Sequence, residues 1–233
     1  MIARKLLVIV LCITIVFTVS GCWSKLDLDE MAIVSGIGFD KIEGDKIKIT
    51  VQVIKPSIIA ALDQGSELKP VWVYSSTGKT VFEAIRNMLT TLNKRSFYGH
   101  IQLVVIGEKL ARDGIKDILD ISQRNPEMNM QAKILVARNL TAEKVLKANS
   151  LIEEVSVMHI IDLIDNNKLI AKMVNISVFD FINHMTRECK CAIAGVIKPK
   201  DGIDPAGELK IKKDLMVEGG VAFKDGKMVD WLD

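Results

Sequence analysis

Ala32-Ile-Val-Ser-Gly-Ile-Gly-Phe-Asp40 and, five residues further on, Lys46-Ile-Lys-Ile-Thr-Val-Gln-Val-Ile54 are the two runs from which the fold can be read. In the second, Ile47, Ile49, Val51 and Val53 alternate with Lys46, Lys48, Thr50 and Gln52. That period of two describes a half-buried strand with one apolar face. Glu43-Gly44-Asp45 between the runs is turn chemistry, so the two strands are expected to pair as an antiparallel hairpin, closed by Pro56.

Moving outward, Val71 to Ser75 carries Trp72 and Tyr74 and reads as another strand, because aromatic and β-branched side chains suit a pleated surface. Thr80-Val-Phe-Glu83 is a capping box: the hydroxyl and the carboxylate satisfy amides that a helix start leaves unpaired. The helix that follows has Val81, Phe82, Ile85, Met88, Leu89 and Leu92 at spacings of three and four, a stripe expected to pack on the sheet. Ile101 to Ile106 is short and almost continuously apolar, which suits a central strand covered on both faces.

Further along, the pattern predicts helices over Asp113–Ser122, Thr141–Ala148 with a Thr cap, Leu151–Asn166, and one opening at Ser177-Val-Phe-Asp180. Strands are predicted at Ala132–Ala137 and Cys191–Ile197, then a Pro and Gly loop over Pro199–Gly207. Asp225-Gly226 between apolar runs signals a last hairpin, which either docks on the preceding body or belongs to a further domain. The expected fold is therefore α+β: a mixed or antiparallel β-sheet flanked by α-helices and followed by a C-terminal β-hairpin.

The first residues are of another kind. Arg4 and Lys5 precede an uncharged stretch from Leu6 to Val19, too short to span a bilayer comfortably but suited to a signal-peptide core. It ends in Val19-Ser20-Gly21-Cys22, a bacterial lipobox, in which small residues admit a peptidase and the Cys22 thiol takes a thioether-linked diacylglycerol. Two acyl chains anchor a protein stably where one is marginal. The expected arrangement is a chain cut before Cys22 and held by lipid on the outer face of a membrane.

Removing residues 1–21 takes Arg4 and Lys5 and no acidic group, which brings the 31 basic residues level with the 29 acidic ones. A neutral body argues against nucleic-acid binding and against polybasic membrane attachment. Cys12 leaves with the leader and Cys22 is taken by lipid, so Cys189 and Cys191 are too few for a disulfide framework.

No pattern points to an enzyme. Ser76-Thr-Gly-Lys-Thr80 ends like a phosphate loop, but the first glycine of that motif would fall at Val73. Gly36-Ile-Gly38 has Lys41 where a dinucleotide fingerprint needs glycine, so these glycines read as strand positions crowded by a neighbouring backbone. His184, Cys189 and Cys191 form too loose a set for zinc, and alternating cysteines at a strand start read as structural, one of them inward. His100 has no partnered nucleophile and reads as a structural histidine. Trp72, Tyr74 and Phe97 read as core rather than as a groove. No catalytic, metal or cofactor-binding residue is assigned.

Several segments together resemble the Ger(x)C spore germination lipoproteins, the C subunits of nutrient germinant receptors. They are Gly21-Cys-Trp-Ser-Lys-Leu-Asp-Leu-Asp-Glu30, Ile33-Val-Ser-Gly-Ile-Gly-Phe-Asp40 and Val51-Gln-Val-Ile-Lys-Pro56. Tyr98-Gly-His-Ile-Gln-Leu-Val-Val-Ile-Gly-Glu-Lys-Leu-Ala-Arg-Asp-Gly-Ile115 and Gly220-Val-Ala-Phe-Lys-Asp-Gly-Lys-Met-Val229 continue the series. The resemblance implies a non-enzymatic subunit beside integral-membrane A and B receptor subunits in the spore inner membrane. It also implies a division into a leader (1–21), an N-terminal α+β germination-protein domain (22–198), a linker (199–214) and the opening strands of a further C-terminal domain (215–233), most of which would be missing here. The competing reading is a free-standing lipoprotein that binds a small molecule.

Overall fold

The computed structural model describes residues 2–7, 9, 31–54, 71–92, 95–148, 155–167, 172–200 and 214–232. The chain forms two compact units, Met1–Met31 and Ala32–Asp233. In the first, residues 2–7 and 9 are helical. No helix among the described residues is long and apolar enough to cross a membrane.

The second unit is built on one nine-stranded sheet. Its strands are β1 (Met31–Ile42), β2 (Lys46–Ile54), β3 (Val71–Gly78), β4 (Arg95–Phe97), β5 (Leu103–Gly107), β6 (Lys133–Ala137), β7 (Cys191–Lys200), β8 (Asp214–Lys224) and β9 (Lys227–Leu232). They run in the order β3-β2-β1-β5-β6-β7-β8-β9, with β4 attached to β1. Of the two sheet types expected, the mixed one forms. The contacts β1–β5, β5–β6 and β6–β7 are parallel, while β3-β2-β1 and β7-β8-β9 are antiparallel wings. Parallel neighbours need crossover connections, and these supply the helices.

The helices are α1 (Val81–Thr91), α2 (Glu108–Asp113), α3 (Lys116–Arg124), α4 (Ala142–Lys147), α5 (Ser156–Asn167) and α6 (Val178–Thr186). Residues of α1, α2, α3 and α6 share one apolar cluster with one face of the sheet; α4 and α5 share a second cluster with the other face. The central strands divide by parity: Val104 and Ile106 of β5 enter the first cluster, Leu103 and Val105 the second. All five residues of β5 are buried, as a strand covered on both faces requires.

Both sequence-predicted hairpins form. Asp45 and Gly44 have φ of +59° and +74°, and Asp225 and Gly226 have +52° and +81°. The two-residue turn at Asp225-Gly226 has positive φ at both positions, which matches the right-handed twist of paired strands, while the first loop has three residues, Glu43–Asp45. The last hairpin docks on the preceding body: β8 pairs antiparallel with β7 from Cys191↔Lys224 to Lys200↔Asp214. Of the linker expected at 199–214, residues 201–213 lie outside the described residues, while Pro199 and Lys200 extend β7.

Several boundaries and faces differ from the sequence expectation. The helix expected at Asp113–Ser122 begins at Lys116 as α3, and an unexpected helix, α2, precedes it and ends at Asp113, where Gly114 adopts φ +139°. Helix α5 starts at Ser156; residues 151–154, where it was expected to begin, lie outside the described residues. On α1 the packed stripe is Val81, Ala84, Met88 and Leu92, whereas Phe82 and Leu89 are 64% and 55% exposed. Close approach decides this: a β-carbon at Gly78 would sit 2.5 Å from the Ala84 backbone nitrogen, and the Ser76 hydroxyl donates to the Ala84 carbonyl. The helix lies so near β3 that the small Ala84 must face it, which turns Phe82 outward.

Strand β1 carries a phase slip. Ala32 and Val34 enter the first cluster, and so do Ile37 and Phe39, although alternation would demand Gly36 and Gly38. A bulge resolves it: Val34 pairs with Val53 and Gly36 with Gln52, leaving Ser35 as the extra residue.

Candidate functional site

Cys22, the residue expected to carry lipid, lies outside the described residues. Within the folded body, the densest polar arrangement is between the sheet and the α4–α5 layer. It was not anticipated, because Lys48, Thr50 and Gln52 read as the solvent face of a half-buried strand. Instead Thr50 and Gln52 are buried, at 0% and 1% exposure.

Three glycine-governed approaches place that layer. A β-carbon at Gly36 would meet Val157 Cγ2 at 2.5 Å, and one at Gly38 would meet Ala142 Cβ at 2.9 Å. The crowding around these glycines therefore comes mainly from helix side chains above the sheet, not from a neighbouring backbone as expected. At Gly107, a β-carbon would collide with Asp40 Oδ1.

Asp40 occupies the space so cleared. Its Oδ1 accepts from the Ala142 amide at 2.8 Å and its Oδ2 from the Glu143 amide at 2.9 Å. It thus caps α4 from a strand a hundred residues earlier, beside the local cap in which Thr141 accepts from the Lys144 amide. Burial pushes the Asp40 carboxyl above its ordinary range, against the two amide bonds that favour its charge.

Next to it, Glu143 accepts from Lys48 and, at 2.7 Å, from Lys147. Burial pushes its carboxyl up, yet the two ammonium groups win and hold it at about 2. A depressed acid stabilises the fold above the ordinary value of 4.5 and loses that contribution as pH falls towards 2. Asp40, shifted the other way, gains stability as pH falls towards its ordinary value of 3.8 and so acts above most of the interval in which Glu143 loses it. Glu143→Gln is therefore expected to flatten the acid limb of the stability curve by up to about one bound proton. Urea unfolding across that pH interval checks it; an unchanged slope would show that the pair of lysines does not act on Glu143.

Deeper in, Gln52 ties three elements together. Its Nε2 donates to the Leu146 carbonyl at 3.0 Å and to Ser156 Oγ at 2.7 Å, and its Oε1 accepts from the Ser35 hydroxyl at 3.1 Å and the Val157 amide at 3.3 Å. Ser156 donates in turn to the Leu146 carbonyl at 2.9 Å. The bulge at Ser35 is what brings that hydroxyl to Gln52. These groups are buried and position α4 and α5.

The other residues singled out in the sequence are scattered. His100 is exposed and stacks edge-on against Phe97, with ring centroids 5.5 Å apart. Trp72 is 44% exposed and contacts Tyr74 edge-on, so the expectation that it belongs to the core is not met. The Ser76–Thr80 segment ends β3 and caps α1: Thr80 Oγ1 accepts from the Glu83 amide, and the Glu83 carboxylate from the Lys79 amide. Cys189 and Cys191 are both exposed, so neither points inward as expected. Among the described residues no group of three or more His, Cys, Asp or Glu gathers as a metal site would. A cleft of about 280 Å³ opens between α3, α6 and the β8–β9 turn, lined by Leu119, Ile182 and Met185 together with Lys116, Lys190 and Asp225.

In sequence, the family described as "Spore germination protein N-terminal domain" matches residues 24–199. Spore germination protein KC of Bacillus subtilis (strain 168) is 35% identical over 156 residues, covering 65% of this chain and 38% of that protein. Spore germination protein A3 of the same organism is 27% identical over 199 residues, 84% of this chain and 52% of the relative. Spore germination protein GerQC of Bacillus cereus is 23% identical over 210 residues, 90% and 53% respectively. The chain thus spans about half the length, or less, of these curated relatives. No solved structure matches. Because the match covers most of the chain, from residue 24 almost to the end of β7, and encloses both the Asp40 and the Gly107 segments that meet under α4, this chain belongs to the Ger(x)C family of spore germination proteins.

Proposed function

We propose that this chain is the lipid-anchored, non-enzymatic subunit of a nutrient germinant receptor, needed for spores to germinate in response to nutrients. In this reading Cys22 carries a diacylglycerol that holds the body on the outer face of the spore inner membrane, beside integral-membrane A and B subunits. One observation carries it: the family match begins at residue 24, two residues after the cysteine of a lipobox. A leader that ends where the family domain starts supports export and lipid attachment of that domain. Burial of acyl methylenes at roughly 0.8 kcal/mol each supplies the anchoring, with no basic patch required of a body whose charges balance. In the same reading residues 215–233, past the end of the family match, are the opening strands of a further domain that shares this sheet.

Cys22→Ala tests the anchor and the function together. The variant is expected to keep its leader, lose fatty-acid labelling, and fail to restore nutrient germination to a deletion strain. Spores of that strain should still respond to a trigger that bypasses nutrient receptors. Normal nutrient germination in a deletion strain without a paralogous gene, or native protein carrying its leader and no lipid, would overturn the proposal.

A further inference from the structure

Two thiols lie two residues apart where α6 turns into β7, and the geometry of that turn sets them against each other. Both Cys189 and Cys191 are exposed and free. Between them Lys190 takes φ +46°, a left-handed conformation uncommon for a residue with a side chain. An extended chain would hold the two α-carbons about 6.6 Å apart, near the upper limit for a disulfide. A left-handed middle residue folds the segment and shortens that span.

The hydrogen bonds report the same folding. The Cys191 amide donates to Cys189 Sγ at 3.2 Å, and the Cys191 thiol donates to the Cys189 carbonyl at 2.9 Å. Each sulfur is therefore bonded to a main-chain group of the other cysteine, across the two peptides that join them. The turn is held from outside as well: the Lys190 amide donates to the Arg187 carbonyl at 2.9 Å, and the Asp225 amide to the Lys190 carbonyl at 3.0 Å. The dithiol is thus presented by a fixed backbone rather than by a loose loop.

From this arrangement we infer that Cys189 and Cys191 form a reactive dithiol that takes small-molecule disulfides as its substrate and closes to an intra-turn disulfide. The Cys191 thiol is tied to the Cys189 carbonyl, so Cys189 attacks: its proton passes to water and its sulfur adds to one sulfur of the incoming disulfide. A sulfur–sulfur bond to Cys189 forms, and the first thiolate leaves and is protonated. Cys191 then gives up its proton to water and attacks Cys189 Sγ, and the second thiolate leaves and is protonated. Two protein thiols are oxidised to one disulfide while one small disulfide is reduced to two thiols. Because Lys190 and Asp225 also line the α3–α6 cleft, the exchange takes place beside that opening.

The test uses the full chain and glutathione disulfide, with peptide mapping by mass spectrometry so that Cys12 and Cys22 are scored separately. The wild-type segment holding Cys189 and Cys191 is expected to lose about 2 Da and carry no glutathione. Cys191→Ser is expected to stop at the mixed disulfide and retain one glutathione on Cys189, and Cys189→Ser to react more slowly. Circular dichroism of each variant shows that the fold is kept. Glutathione on both cysteines at once, disulfide-linked dimers through this segment, or no reaction of the folded chain under conditions that oxidise the urea-unfolded one would overturn the inference.

Discussion

Asp40→Ala is expected to lower the unfolding free energy by about 2 to 3 kcal/mol, seen as a shift of the urea midpoint at unchanged slope. The carboxylate accepts from two amides at the start of α4, and each charge-assisted bond of this kind is worth roughly 1.5 to 3 kcal/mol. Relief from burying the charge returns part of that, since burial already holds the carboxyl above its ordinary range. No other side chain takes over readily: Thr141 is committed to the Lys144 amide, one position further along. Asp40→Asn should fall between wild type and alanine, because one oxygen still accepts while the amide group opposes the second N–H. Hydrogen exchange should localise the loss to the Ala142 and Glu143 amides before β1 and β5 are affected. An unmoved midpoint with α4 still protected would show that the helix does not depend on this cap.

Gln52→Leu should cost about 3 kcal/mol. Judged by the alternation of β2, the change is mild, even favourable, since a polar residue on the water side of a strand gives way to a better strand former. Judged by the structure it is severe. The side chain is 1% exposed and bonded at both ends, to Ser35 and the Val157 amide through its oxygen and to Leu146 and Ser156 through its nitrogen. Leucine fills the space but leaves the Val157 amide buried without its acceptor, and an unmet buried group costs roughly 1 to 3 kcal/mol. Thermal or urea unfolding of this single variant separates the two views of β2: a change under about 0.5 kcal/mol would restore the half-buried strand.

The contrast at Gln52 shows where sequence reading stops. Turn and cap chemistry is local, so Glu43-Gly44-Asp45, Asp225-Gly226, Thr80, Thr141 and Ser177 announced their elements and stand where expected. The buried run at β5 was legible too, because five consecutive apolar residues leave no wet face. Polar residues on a strand are read as exposed because water is the cheapest partner for them. Nothing in β2 itself reveals that Leu146, Ser156 and Val157, about a hundred residues away, supply those partners instead. Phe82 illustrates the reverse error: a large apolar residue was assigned to the packed stripe of α1, when the approach of Gly78 reserves that face for Ala84.

The candidate site divides in the same way. The leader and lipobox expected at residues 1–22 rest on a local pattern of residue types, which needs no folded body to be read. The Asp40 cap could not be read in that way, because its meaning depends on Gly107 leaving room for it and on α4 beginning above it. By itself, then, the sequence determined the elements, their turns and the family to which the chain belongs. Only the tertiary structure decided the order of the strands, the second helical layer over β1 and β2, and the pairing of two thiols across one left-handed residue. Each of these is a contact between groups whose separation along the chain, or backbone conformation, no periodicity encodes.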